Sequence, residues 1–125
     1  MKLETIVYDK FKKIMPQNSL ENIIFADVED TSYEIFFYTW LTNGDCKQCY
    51  ELTAEGSLDE NTLENIFEEF YRAIKTDKQY IADKRNIFTF KISKNNGIDL
   101  CVEHYDKITK MYNIKKEWKK KFIEN

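Results

Sequence analysis

The residue types that perform chemistry are scarce in this chain. His104 is the only histidine among 125 residues. It falls in an alternating apolar run, where a lone histidine is a structural or partly exposed residue far more often than a general base. The sequence holds no G-x-S-x-G elbow, no Walker loop and no dinucleotide fingerprint. The expectation is a protein that is not an enzyme and that takes no cofactor.

The sharpest metal-binding pattern is Cys46-x-x-Cys49 with Cys101-x-x-His104, three thiols and an imidazole that zinc would accept. Strand geometry argues against it. Residues three apart on a regular strand point to opposite faces, and Lys47-Gln48 offers neither the Gly nor the Pro that bends a zinc knuckle. Reduced thiols in a cytosolic protein are the plainer reading. A redox role for Cys46-x-x-Cys49 is weaker still, because that motif normally opens a helix.

Charge says more. The formal net charge is −3, but residues 1–70 hold fifteen acids and five bases, and residues 107–125 hold seven lysines and two glutamates. The basic tail, with Tyr112 and Trp118, is one possible nucleic-acid surface. Against it, Trp118 lies on an apolar stripe and the chain as a whole is acidic, which phosphate repels. No direct nucleic-acid binding is expected. The acidic part points instead to a basic partner: proteins that block nucleases present carboxylates where phosphates would lie, and charge of opposite sign steers the encounter. The plainer alternative is a solvated surface. The candidate partner-binding residues are Glu60, Glu64, Glu68 and Glu69, with Asp27, Glu29 and Asp30. No lysine stands at the i+4 positions to pair with the glutamate ridge.

These side chains need elements to hold them. Tyr33 to Leu41 is nine residues of aromatic and β-branched character without Gly or Pro, and it suits a central strand greasy on both faces. Asn43-Gly44 signals a hairpin, so Cys46 to Leu52 is expected to return as the third strand. Leu3, Ile6, Val7, Phe11 and Ile14 recur at helical spacing before Pro16. Ile24 to Val28 alternates as the first strand. Ser57 with Glu60 reads as the capping box of a helix that buries Leu63, Ile66, Phe67, Phe70 and Ile74. Asn86 to Ser93 and Ile98 to His104 alternate around Asn95-Asn96-Gly97, a second hairpin signal. From Asp106 the chain is expected to be helical, with Met111, Ile114, Trp118 and Phe122 on one stripe. The plainer reading of the aromatic face Phe36, Tyr38 and Trp40 is that this last helix covers it.

The order is α-β-β-β-α-β-β-α: an α+β fold, a five-stranded antiparallel sheet packed with three helices, in one domain over residues 1–125. No stretch approaches the roughly 20 apolar residues of a membrane span. No signal peptide is apparent at Met1-Lys2-Leu3-Glu4, and the expected location is the cytoplasm.

The texture of the chain resembles a known family. The residues that carry the likeness are the helix ending in Met15-Pro16, the strand E-I-F-F-Y-T-W, the pair N-I-F-T-F-K-I-S-K-N-N-G-I-D-L-C-V-E-H-Y-D, and a lysine-rich helix containing Trp118. Together, from about Glu4 to Phe122, they resemble the YezG-like antitoxin and immunity family, relatives of the nuclease antitoxin EsaG. The resemblance implies an α+β fold and a non-catalytic role. Family members bind the C-terminal toxin domain, commonly a nuclease, of a secreted bacterial toxin and neutralise it inside the producing cell. Two stretches depart from the family's texture. Arg85-Asn86-Ile87 stands where relatives tend to show Trp-Thr-Asn, and Glu103-His104-Tyr105-Asp106 stands where paired aspartates are frequent. The competing reading is a small metal- or nucleic-acid-binding module built on Cys46, Cys49, Cys101 and His104 or on the basic helix.

Overall fold

Each alternating run and each helical stripe forms the element its period dictates, with one exception at the third strand. The computed structural model describes residues 1–95 and 97–124. The elements are α1 (Leu3–Phe11), β1 (Ser19–Val28), β2 (Tyr33–Leu41), β3 (Cys46–Gln48), α2 (Cys49–Ala54), α3 (Glu60–Lys75), β4 (Lys84–Ser93), β5 (Gly97–Asp106) and α4 (Met111–Phe122). The strands form one antiparallel sheet in the order β3-β2-β1-β4-β5. This is the expected α+β fold, with α2 as an added short helix. Among the described residues no helix is long and apolar enough to cross a membrane.

The centre of the sheet belongs to β1, not to β2. β1 pairs with β2 from Ser19↔Leu41 to Val28↔Tyr33 and with β4 from Glu21↔Ser93 to Val28↔Asn86. Every residue from Asn22 to Val28 is buried. The strand also begins five residues before the expected Ile24, because Ser19 and Glu21 pair despite their polarity. Polar residues at a strand end hide its start from a hydrophobic pattern.

The third strand is the exception. It stops at Gln48, and Cys49 begins α2. Cys49 and Leu52 are both buried, a spacing that a helix places on one face and a strand does not. The Gln48 amide donates to Glu51 Oε1 at 3.0 Å, half of a capping box across this start. The preceding turn also differs from a two-residue hairpin. Leu41 N donates to Asp45 O at 2.8 Å, so Thr42, Asn43 and Gly44 form a three-residue loop. Only Gly44 takes positive φ, at +94°, as the bulge position of such loops requires. The cap of α3 moves as well. Asp59 accepts from Thr62 N at 3.0 Å and from Thr62 Oγ1 at 2.9 Å, while Ser57 Oγ donates to Leu52 O. A carboxylate at the N-cap position wins over the serine two residues earlier. In the second hairpin Ser93 pairs with Gly97; Asn96 of the Asn95-Asn96-Gly97 signal lies outside the described residues.

Helices cover both faces of the sheet. On one face, Phe37 of β2 meets Phe11 of α1 at 5.0 Å and Phe67 of α3 at 6.4 Å, both edge-on. On the other, Trp118 of α4 packs edge-on against Phe25 at 5.1 Å and Phe36 at 5.7 Å, with Tyr38 at 6.3 Å. The tail helix therefore covers the aromatic face, as expected. Burying each such ring contributes about 2–3 kcal/mol.

A candidate acidic docking surface

α3 buries Leu63, Ile66, Phe67, Phe70 and Ile74 and turns its acids outward. Glu60 and Glu64 are exposed and make no ion pair among the described residues. Glu68 is exposed, with Arg72 Nη2 donating to its Oε1 at 2.8 Å. The i+4 cation is thus an arginine, which a search for lysines alone passes over. Glu69 is half-buried, 3.5 Å from Lys10 Nζ of α1. The free carboxylates of the ridge are those nearest the N-terminal end of the helix.

The ridge borders an aromatic cleft that sequence reasoning did not find. A hollow of about 480 Å³ is lined by Tyr33, Glu34, Ile35, Tyr50, Phe67, Glu64, Glu68 and Asn65. Tyr33, 39% exposed, stacks on Tyr71 of α3 at 4.7 Å. Burial raises the Tyr33 phenol, and the charges of Glu68 and Glu64 raise it further. Burial likewise raises Tyr50, with smaller contributions from Cys49, Glu34 and Glu64. Exposed tyrosines beside the Glu64 carboxylate, which has no ion pair among the described residues, form a surface suited to arginine and lysine, by charge and by cation–π contact. Alternation placed Tyr33 and Glu34 on opposite faces of one strand. Their meeting at one cleft depends on the sheet edge being open there.

The acids after the first strand lie elsewhere. Asp27 is buried on the α4 face of the sheet, paired in register with Glu34 of β2 and Ile87 of β4. Its Oδ2 is 3.7 Å from Arg85 Nη1, and its Oδ1 has no hydrogen-bond partner. Burial, reinforced by Glu29 and opposed by Arg85, pushes the Asp27 carboxyl up to about 6. Glu29 is half-buried and accepts from Arg85 Nη1 at 3.2 Å. Asp30 is exposed but engaged. Its Oδ1 accepts from Tyr80 Oη at 2.5 Å, its carbonyl accepts from Tyr71 Oη and Lys75 Nζ, and Lys107 Nζ stands 3.9 Å from Oδ2. The seven candidate acids therefore do not form one surface. Asp27 and Glu29 belong to an internal ion cluster with Arg85, and Asp30 ties its turn to α3.

The Cys/His set does not converge either. Cys46 is exposed on β3 and Cys101 is half-buried on β5, the two opposite edges of the sheet. Four strand spacings separate those edges by about 19 Å. Cys101 pairs in register with Thr89 and His104 with Asn86, neighbours of opposite face on β4. His104 Nε2 is 2.7 Å from Gln79 O. Cys49 does open a helix, as a redox cysteine would, but its thiol is buried and burial pushes it up to about 11. That is the wrong direction for a thiolate nucleophile. Among the described residues no group of three or more His, Cys, Asp or Glu is placed to hold a metal ion. Trp118 is buried and unavailable to stack on a base. No protein-family model matches the chain, and no curated protein matches it.

Proposed function

We propose that this protein is an immunity protein that binds and neutralises the toxin domain of a secreted bacterial polymorphic toxin, in the cytoplasm of the producing cell. The toxin chemistry that fits is a nuclease. One observation carries the reading: a helix packed on the core holds a ridge of exposed carboxylates, Glu60 and Glu64 without an ion pair among the described residues, and its Glu64 and Glu68 border a cleft with two exposed tyrosines. A nuclease must present positive potential to hold a phosphate backbone, and a surface of opposite sign is drawn to it. The resemblance to the YezG-like family supports the same partner. The protein acts by occupying a surface and performs no catalysis.

The test is protection. A candidate nuclease toxin domain, sought first among the genes next to this one, is expressed with and without this chain in a bacterial host, and survival and nucleic-acid integrity are measured. Survival is expected only with co-expression, with a stoichiometric complex of the two purified proteins. Equal killing in both cultures, or no complex at micromolar concentrations, overturns the reading.

A further inference from the structure

One edge of the sheet is half-built. β3 pairs with β2 only at Tyr38, Thr39 and Trp40. Among the described residues no strand lies beyond the other half of β2, Tyr33 to Phe37. Backbone groups of successive residues point to opposite sides of a strand, so those of alternate residues share a side. Leu41 N reaches Asp45 O on the β3 side, which places Tyr33, Ile35 and Phe37 facing the same way. One of their groups is met by a side chain of α2: Tyr50 Oη donates to Ile35 O at a long 3.3 Å. Among the described residues the Ile35 amide has no strand opposite it.

A hollow lies on each face of this open half. On the α3 face is the acidic cleft with Tyr33, Ile35, Glu64 and Glu68. On the α4 face is a hollow of about 240 Å³, floored by Phe36, Tyr38 and Trp118 and rimmed by Lys115 and Lys119. Tyr50 borders both. An added strand sends successive side chains to opposite faces, so an edge with a pocket on each side reads an alternating sequence. The outer edge of β5 differs. It borders neither hollow and carries Asp99, Glu103 and Asp106, the charged edge that discourages strand addition.

We propose that the Tyr33–Ile35 edge is a strand-docking site for an extended segment of a protein partner, alternately basic toward Glu64 and Glu68 and apolar toward Phe36 and Trp118. Charge complementarity selects this occupant over a second copy: β2 itself holds no basic residue, so the copy's own β2 would bring no cation to Glu64 and Glu68. Tyr50 holds the place of the incoming backbone, its hydroxyl supplying the donor that the new strand replaces. The inference rests on the immunity reading for the partner being a basic protein. Its test uses a peptide, so either can fail without the other.

The probe is an eight-residue peptide alternating arginine with valine or phenylalanine, titrated into the ¹⁵N-labelled full chain. A control peptide of equal composition has its arginines grouped at one end. The alternating peptide is expected to bind about tenfold more tightly and to slow hydrogen exchange at the Ile35 amide. N-methylating every second peptide amide is expected to abolish binding in one phase and spare it in the other, since only one set faces β2. Tyr50→Phe is expected to strengthen binding by about fivefold, because it removes a competing hydrogen bond. Equal binding of the two peptides, or indifference to N-methylation in both phases, overturns the proposal. So does protection of the Ile35 amide on self-association without peptide, which would assign the edge to a second copy.

Discussion

Trp118 Nε1 donates to Thr89 Oγ1 at 2.9 Å, with both residues buried. One indole thus binds β4 by a hydrogen bond and β1 and β2 by ring contacts with Phe25 and Phe36. Trp118→Ala removes the ring and leaves the hydroxyl without its partner, and is expected to cost about 3–5 kcal/mol in urea denaturation. Trp118→Phe keeps much of the packing and is expected to cost about 1–3 kcal/mol, part of it recovered by adding Thr89→Val. A neutral Trp118→Phe would mean that the hydrogen bond contributes nothing.

The Asp27 carboxyl, raised to about 6 from 3.8, binds its proton more tightly in the folded chain than in the unfolded one. Its contribution to stability is therefore complete below the unfolded value and is lost as pH rises through about 6. Between about pH 4 and about pH 7 this group is expected to remove roughly 2–3 kcal/mol of stability. Asp27→Asn should flatten that part of the pH–stability curve and be the more stable protein at neutral pH. An unchanged slope in Asp27→Asn would show that another group titrates there.

Reversing Glu64 and Glu68 to lysine is expected to abolish protection against the toxin while leaving the far-UV circular dichroism unchanged. Both positions lie off the buried stripe of α3, and lysine is a good helix former. Added salt should slow association of the native pair. Reversing Asp27 or Glu29 should instead destabilise the fold, because each would place a cation against Arg85. Full protection by the Glu64/Glu68 double variant would reduce the ridge to a solvated surface.

Thiol chemistry offers a separate check on the metal reading. Cys46 is exposed, Cys101 half-buried, and Cys49 buried with its thiol pushed up to about 11. Alkylation at neutral pH should follow that order, with Cys49 reacting only when the chain unfolds, since about one in 10⁴ of its thiols is ionised at pH 7. Zinc binding at one equivalent, lost on Cys46→Ser, would contradict the separation of the two sheet edges.

Much of the fold was legible because most segments carry one unambiguous period. Phe88, Phe90 and Ile92 alternate, and Leu63, Ile66, Phe67 and Phe70 do not; strand and helix follow. Cys46 to Leu52 carried two signals. The Asn43-Gly44 hairpin signal before it pointed to a returning strand, while Gln48 and Glu51 at helix-start spacing went unread. The candidate site was legible only in part. Sequence spacing finds the ridge on α3, since one helix sets it. It does not find Arg72 as the partner of Glu68 among lysine-only candidates. Nor does it find Tyr50, which reaches the cleft only because the strand stops at Gln48. Asp27 was misplaced for a further reason: an acid among apolar residues reads as surface, yet here it lies inside, beside Arg85 from 58 positions further along.

The sheet is two locally paired units, the meander β1–β2–β3 and the hairpin β4–β5, joined along a single seam between β1 and β4. At one end of that seam Asn86 Nδ2 donates to Val28 O across a separation of 58 residues. Hairpins close in about 1–10 μs, whereas bringing the two halves together means closing a far longer loop before any seam contact forms. The speed of folding is therefore set where the halves meet. Substitutions along Phe25, Thr89 and Asn86 should slow folding, while those confined to β3 or the outer edge of β5 should act mainly on the rate of unfolding.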